Sequence, residues 1–280
     1  MTDLSQIGAA NPLIVVGAGK MASALMAGWL KKGAAPEGII AIRPSEDGRK
    51  ALAEAFPGIT IWARAEDLPQ GVTPRAILLA VKPQKFAEVL PAYRQYARPG
   101  VLYLSVAAGI PLSRMAALLG DEAAIVRSMP NTPSAVGAGI AALIANGNAS
   151  ESDRGLAQAL LAAVGEAIWL DDEEQMHGVT AVSGSGPAYV FHMVEAMAAA
   201  GEAQGLTPDM AMRLARQTVI GAGALMAANP ASAATLRENV TSPGGTTAAA
   251  LGVLMGDDRL KALMTEALTA AANRSRELAG

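Results

Sequence analysis

Cysteine is absent from the 280 residues, and histidine occurs only as His177 and His192. The first absence excludes thiol catalysis, disulfide frameworks and thiolate-held zinc or iron–sulfur sites. The second excludes a histidine-rich metal centre, so no metal is expected, and it leaves few candidates for a His-based triad. Aromatic residues make up 4% of the chain and charged residues 17%, while 51% are hydrophobic. A chain this apolar buries a substantial core and is not disordered. With few aromatics and abundant Ala, Met and Gly, that core comes from helices packed closely on one another or on a sheet. Lys and Arg number 22 against 25 Asp and Glu, a formal charge of −3. The basic footprint of a nucleic-acid binder is missing, so no nucleic-acid partner is expected, although a local anion site remains compatible with this balance. No apolar run is long enough to span a bilayer, and MTDLSQIGAANP lacks the basic and apolar regions of a secretory signal. A cytoplasmic protein without a membrane partner is the expectation.

Short apolar runs and helical patterns alternate through the first part of the chain. Strands are expected at 13–16, 38–42, 59–62, 76–81, 101–106, 123–127, 139–144 and 167–170. Helices are expected at 20–32, 45–56, 86–96 and 151–164. Alternation of this kind implies a mostly parallel, helix-covered, doubly wound sheet. After about Leu170 the strand-like runs stop, and 187–200, 208–228 and 245 onward read as helices. The expected organisation is an α/β domain over 1–170 and an all-α domain over 171–280.

Gly17-Ala18-Gly19-Lys20-Met21-Ala22 fits G-x-G-x-x-A between a strand and a helix. The first glycine permits a tight turn, the second admits a pyrophosphate to the backbone, and the small Ala22 lets helix and strand pack closely. The alternative is an unusually tight turn in some other α/β protein. The second strand ends in Arg43-Pro44-Ser45, where a guanidinium and a hydroxyl suit a ribose 2′-phosphate and so favour NADPH. Glu46 and Asp47 follow closely and leave NADH possible. Ala80-Val81-Lys82-Pro83 and Ala107-Ala108-Gly109 fall at strand ends, where ligands of open α/β sheets lie.

In the C-terminal part, Val240-Thr-Ser-Pro-Gly-Gly-Thr-Thr247 places four hydroxyls and two glycines before a helix-favouring run. Its free N–H groups would hold a small carboxylate, or its hydroxyls would serve as ordinary caps. Ser183-Gly-Ser-Gly-Pro187 superficially resembles a nucleophile turn, but it lacks the strand and the partner histidine that a hydrolase needs. His192 reads as a helix residue, His177 as loop or helix-start structure, and the Met- and Ala-rich helices as a core or subunit interface.

The order V-G-A-G-K-M, A-V-K-P, S-V-A-A-G, R-S-M-P-N-T-P, V-S-G-S-G-P-A-Y-V-F and N-V-T-S-P-G-G-T-T resembles the pyrroline-5-carboxylate reductases from about residue 12 to 278. Related reductases share the glycine-rich start but not the C-terminal segment. The resemblance implies reduction of 1-pyrroline-5-carboxylate to L-proline, with NADPH usually preferred. It implies a homodimer in which one copy's helical domain completes the site over its neighbour's cofactor, often assembled into a decamer. Gly17 to Met21, Arg43 to Ser45, Ala80 to Pro83 and Ala107 to Gly109 match its cofactor-lining motifs. Met129, Pro130 and Asn131 match the segment near nicotinamide and substrate. Ser242, Gly244, Gly245, Thr246 and Thr247 match the substrate loop, with Thr247 at the imine nitrogen as the catalytic residue. The chain departs from the family's pattern at Ala199, where many members carry Asp, and at Trp62, Trp169 and the 69–74 turns. Competing readings are another NADP-dependent imine or β-hydroxyacid reductase, and a non-catalytic dinucleotide-binding regulator. The former families place a Lys or Asp in the interdomain helix, which 187–200 lacks.

Overall fold

The computed structural model describes residues 4–279. The chain forms two compact units, one running to Gly184 and resuming at Ala272, the other covering Ser185–Ala271. The first unit contains β1 (Leu13–Val16), α1 (Lys20–Lys31), β2 (Ile39–Ile42), α2 (Glu46–Ala55), β3 (Thr60–Trp62), β4 (Ala76–Leu79) and α3 (Phe86–Val89). It continues with β5 (Leu102–Ser105), α4 (Leu112–Leu119), β6 (Ala124–Met129), β7 (Gly139–Ala145), α5 (Glu151–Ala162), β8 (Gly165–Trp169) and α6 (Gln175–Val179). The eight strands order as β3-β2-β1-β4-β5-β6-β7-β8. Neighbours are parallel except for β6 and β7, which pair antiparallel. The first six strands follow the doubly wound order of dinucleotide-binding sheets.

Both faces of the sheet are covered, which explains why its strands are continuous apolar runs. Alternate residues of β1 serve opposite layers. Leu13 and Val15 pack with Leu25, Met26 and Trp29 of α1 and with Leu156 and Leu160 of α5. Ile14 and Val16 pack with Phe86, Leu90, Tyr93, Met115 and Leu119 on the other face. Trp29 Nε1 donates to Leu160 O at 2.7 Å, so the largest side chain of the first layer also meets its polar need. Burial pushes the Tyr93 and Tyr103 hydroxyls above their ordinary pKa, and Tyr103 donates to Tyr93 O at 2.7 Å.

The helix expected over 86–96 is α-helical only to Val89, and Leu90–Tyr96 is a 3₁₀ helix. Pro91 cannot donate to the carbonyl four residues back, so the i→i−4 ladder stops there. α4 and α6 occupy segments with no helix in the sequence reading. α6 continues into a π-helical turn over Thr180–Gly184.

The second unit comprises α7 (Gly186–Ala203), α8 (Pro208–Ala228), α9 (Ala233–Asn239), α10 (Thr246–Met255) and the first part of α11 (Arg259–Ala279). The helix expected from Gly245 onward breaks at Gly256–Asp258, where Asp257 and Asp258 both have φ 53°. α7 and α8 close on Ala198, Ala211 and Ala215, flanked by Val194 and Leu206. Among the described residues no other side chain of this unit is buried. Phe191, Leu214, Ile220, Met226 and Leu263 are each more than half exposed. Among the described residues no single helix is long and apolar enough to cross a membrane.

The buried polar contact that ties β4 to α5 is Arg75–Asp153. Arg75 Nη1 lies 2.8 Å from Asp153 Oδ1, with the two side chains 13% and 3% exposed. Asp153 also accepts from Ser150 N and Oγ, closing a capping box at the start of α5. Asp153→Ala removes the cap and the carboxylate partner of Arg75, which keeps Gln6, Gly100 O and Ser152, so urea unfolding should show a loss of about 2 kcal/mol. Lys50→Ala, which breaks the exposed Lys50–Glu46 pair, should stay within about 0.5 kcal/mol in the same measurement.

Candidate active site: two anion-receptive turns

Gly17 leaves β1 with φ 82°, a backbone region that other residues enter only with strain. Its N–H donates to Ile42 O at 3.2 Å. A Cβ at Gly17 would stand 2.6 Å from Val81 Cγ1 and 2.9 Å from the Val81 backbone. The turn after β1 therefore lies flush against the end of β4. Gly19 N donates to Gly17 O at 2.7 Å, and Gly19 occupies the N-cap of α1 with no side-chain cap. The first turn of α1 keeps unpaired N–H donors at the positive end of the helix dipole. Ala18 and Ala22 are buried, Met21 is half-buried, and Lys20 is exposed. An uncapped helix start reached by a strand with no room for a side chain fits a pyrophosphate.

At the end of β2, Arg43 N donates to Trp62 O at 2.9 Å, Arg43 is half-buried, and Pro44 and Ser45 are exposed. Ser45 is the N-cap of α2, yet its hydroxyl makes no capping bond. Arg49 Nη1 reaches back to Pro44 O at 2.6 Å and Arg43 O at 3.2 Å. A side chain at Gly48 would collide with both Arg43 and Ser45. Among the described residues neither Arg43 nor Arg49 forms an ion pair, whereas Glu46 pairs with Lys50 at 2.8 Å on α2. Two unneutralised guanidinium groups and a free hydroxyl suit a dianionic phosphate. Gly48 and Arg49 were absent from the sequence reading. Their signal was a glycine–arginine pair in the first turn after a strand-end arginine.

The next strand ends complete this edge of the sheet. Ala80 N donates to Val16 O at 2.9 Å, Lys82 is exposed, and Pro83 opens a 3₁₀ turn. Ala107 N donates to the buried Ser105 Oγ at 3.3 Å, and Ser128 Oγ donates to Ser105 O at 2.7 Å. Ala108 is exposed between the buried Ala107 and Gly109. After β6, Met129 is half-buried, while Pro130 and Asn131 are buried. The Asn131 amide is spent within the fold: Nδ2 donates to Ser183 O at 3.2 Å, and Oδ1 accepts from Ile140 N at 3.0 Å. It holds the π-turn beside Met129, whose Cε would lie 2.5 Å from a Cβ on Gly184. Ser183 Oγ donates to Val179 O at 3.0 Å, so this serine is tied to its own helix. His177, expected as loop or helix-start structure, is a buried α6 residue, and His192 is exposed beside Glu195. No three His, Asp or Glu residues are grouped to hold a metal among the described residues.

The second unit carries the other turn. α9 ends at Asn239, and Thr241 Oγ1 caps its final turn by donating to Arg237 O at 2.6 Å. The chain then turns through Ser242, Pro243 and Gly244, and Gly245 N donates to Ser242 O at 3.1 Å. A Cβ on Gly245 would stand 2.6 Å from Ser242 Oγ. Gly245 is the N-cap of α10, and no side chain caps that helix. Thr246 is exposed and Thr247 half-buried in its first turn. Of the two roles open in the sequence, capping by Ser or Thr is therefore the one this geometry does not use, and the backbone donors stay free.

Comparison with known proteins covers nearly the whole chain. Residues 12–109 match the family model described as NADP oxidoreductase coenzyme F420-dependent, and residues 173–278 match that of pyrroline-5-carboxylate reductase dimerisation. The chain is 42% identical to the pyrroline-5-carboxylate reductase of Haemophilus influenzae over 264 residues, covering 94% of this chain and 96% of that one. A solved pyrroline-5-carboxylate reductase from Coxiella burnetii superposes with a TM-score of 0.90 at 36% identity, over 97% of this chain and 99% of that one. A Plasmodium falciparum pyrroline carboxylate reductase solved with NADP bound gives a TM-score of 0.80 at 27% identity, over 98% of this chain and all of that one. With relatives this similar along nearly its full length, the chain belongs to the pyrroline-5-carboxylate reductase family.

Proposed function

We propose that this protein reduces 1-pyrroline-5-carboxylate to L-proline with NADPH, the last step of proline biosynthesis, in the cytoplasm. The observation that carries the reading is full-length similarity to reductases of that name in a chain whose two helix-start turns are both uncapped. The Gly17–Met21 turn would hold the pyrophosphate of the cofactor. Arg43, Pro44 and Ser45, braced by Arg49, would hold its 2′-phosphate. NADPH is favoured over NADH because Arg43 and Ser45 stand at the end of β2, while Glu46 pairs with Lys50. Ala80 to Pro83 and Ala107 to Gly109 would let the cofactor lie against backbone. When bound, the reduced cofactor would supply a hydride, two electrons and one hydrogen, to the C=N carbon of the cyclic imine, which is C2 of the pyrroline and becomes C5 of proline.

The chain's own work is binding and alignment. Backbone N–H groups of Thr246 and Thr247, set by the Ser242–Gly245 turn, would hold the substrate carboxylate. The Thr247 hydroxyl would hydrogen-bond the ring nitrogen and fix which face of the ring is presented. Met129 and Pro130 would close one side of the ring pocket, and Asn131 would hold that segment in place. The imine enters protonated or takes its proton from water, because an ordinary threonine hydroxyl is far too weak an acid to supply it. The addition then leaves a neutral ring amine, which gains its second proton from solvent. Positioning alone can supply a large part of the rate enhancement in such a reaction.

The exposed apolar side chains of the second unit supply the surface for a homodimer, the coarse assembly state that the dimerisation match supports. The finer reading is that each helical unit completes the site over its neighbour's cofactor, with dimers assembled into a decameric ring. α7 carries neither the Lys nor the Asp expected of an imine or β-hydroxyacid reductase, which speaks for the pyrroline-5-carboxylate reading.

Thr247→Ala should lower kcat/KM by roughly a hundredfold, with the dissociation constant for NADPH nearly unchanged. The check is loss of NADPH absorbance with pyrroline-5-carboxylate, against a hydroxyacid and a buffer blank, and wild-type kcat/KM in the variant would remove Thr247 from the mechanism. Arg43→Ala should weaken NADPH binding by roughly tenfold or more while leaving NADH little changed, read by titration calorimetry with each cofactor. Equal losses for both cofactors would show that Arg43 does not read the 2′-phosphate.

A further inference from the structure

The last turn of α11 packs on the first unit, against one of the loops at the sheet's ligand edge. Ser275 is the buried residue of this helix, and its Oγ lies 2.9 Å from Nδ1 of the buried His177 on α6. One turn on, the Leu278 carbonyl oxygen and Cβ would lie 3.3 and 3.5 Å from a Cβ on Gly109. The tail therefore touches Gly109 through its own backbone, at a position where any larger residue would push it away. On the far side of the same loop, Glu173 Oε1 accepts from Leu112 N at 2.9 Å and from Arg127 Nη1 at 2.7 Å. Arg127 is buried on β6, so the carboxylate that holds the start of α4 is itself fixed to the sheet. Ser105 anchors the first residue of the loop from below.

From this arrangement we infer that the C-terminal turn of α11 is a positioning element for the Ala107–Gly109 loop, with Ser275 as its key residue. Glu173 holds the loop's exit, Ser105 holds its entrance, and the tail presses on Gly109 at its end. None of these groups needs to touch the reacting atoms. They set the height of a stretch of backbone that carries only small side chains. Small side chains let a ring approach closely, but they also leave the loop with little packing of its own to resist displacement. Support from outside the loop supplies that resistance. The inference rests on the reading that Ala107–Gly109 lies beside the cofactor's nicotinamide end, away from the 2′-phosphate held near Arg43.

That separation gives the test. Ser275→Ala leaves His177 Nδ1 without its buried partner, and deletion of residues 276–280 removes the Leu278 contact while keeping Ser275. For both variants the full-length wild type is the reference, and the ligands are NADPH and adenosine 2′,5′-bisphosphate, measured by calorimetry. The bisphosphate carries the 2′-phosphate end and lacks the nicotinamide. Both variants should bind NADPH about fivefold more weakly and turn over more slowly, with bisphosphate affinity and oligomer size unchanged; fivefold is about 1 kcal/mol. Ser275→Thr, which keeps a hydroxyl, should recover most of the NADPH affinity. Variants that bind NADPH like the wild type would overturn the inference. So would equal losses for NADPH and the bisphosphate, which would mark the tail as a general structural support. Failure of the wild type to bind the bisphosphate would instead overturn the cofactor reading itself.

Discussion

The contact between Gly17 and Val81 governs the first unit. With 2.6 Å available to a Cβ, no side chain fits between the turn after β1 and the end of β4. Because β1 and β4 are adjacent and parallel, both strands deliver their ends to the same edge of the sheet. The strand order reverses there, with β2 on one side of β1 and β4 on the other, and the connections leave in opposite directions. That reversal opens the crevice, and the missing side chain lets a ligand reach the amide groups of α1. A bulkier residue would fill the crevice and displace the helix start together. The small Ala18 and Ala22 extend the same constraint, since they are buried between helix and sheet.

Much of this was legible in the sequence because it rests on local rules. Four-residue apolar runs become strands when both faces of a sheet are covered, and glycine spacing marks the turn that follows the first of them. Arg43 was legible for the same reason, as a charge placed by a strand end. What escaped depends on distant partners. The α6 segment and its π-turn gave only a possible helix start at His177 and a small-residue turn at Ser183, because Gly178 and Gly184 interrupt the apolar pattern. It is held by Thr180 Oγ1 on Met176 O, by Ser183 Oγ on Val179 O and by Asn131 from another part of the chain. α4 escaped because Ala107-Ala108-Gly109 before it signals only an ending, while the group that holds its start, Glu173, lies 61 residues away. In 86–96 the apolar spacing suggested one helix, and Pro91 decided otherwise.

Asn131 shows how position and role separate. Its motif placed it near the substrate, yet both ends of its amide are consumed by Ser183 and Ile140. A buried amide with satisfied donor and acceptor is a structural brace, and freeing either end would leave an unpaired polar group. Through those two bonds it fixes the segment that carries Met129 and Pro130. Arg49 is the converse case. It carries no motif, but it engages two carbonyl oxygens, of Arg43 and Pro44, at the end of β2.

The scarcity of acid–base groups is consistent with this division of labour. The histidines, His177 buried against Ser275 and His192 exposed beside Glu195, lie outside both turns. Each turn presents backbone N–H groups at an uncapped helix start, and such donors have fixed direction and no protonation state near neutral pH. On the proposed reading, each turn would hold an anionic group in a set orientation and leave proton exchange to solvent. Hydride addition to an already electrophilic carbon needs alignment more than it needs a base. Backbone turns meet that need only if they do not move, and four of the buried polar residues, Ser105, Arg127, Asn131 and His177, are hydrogen-bonded to the segments that follow the strand ends or support them.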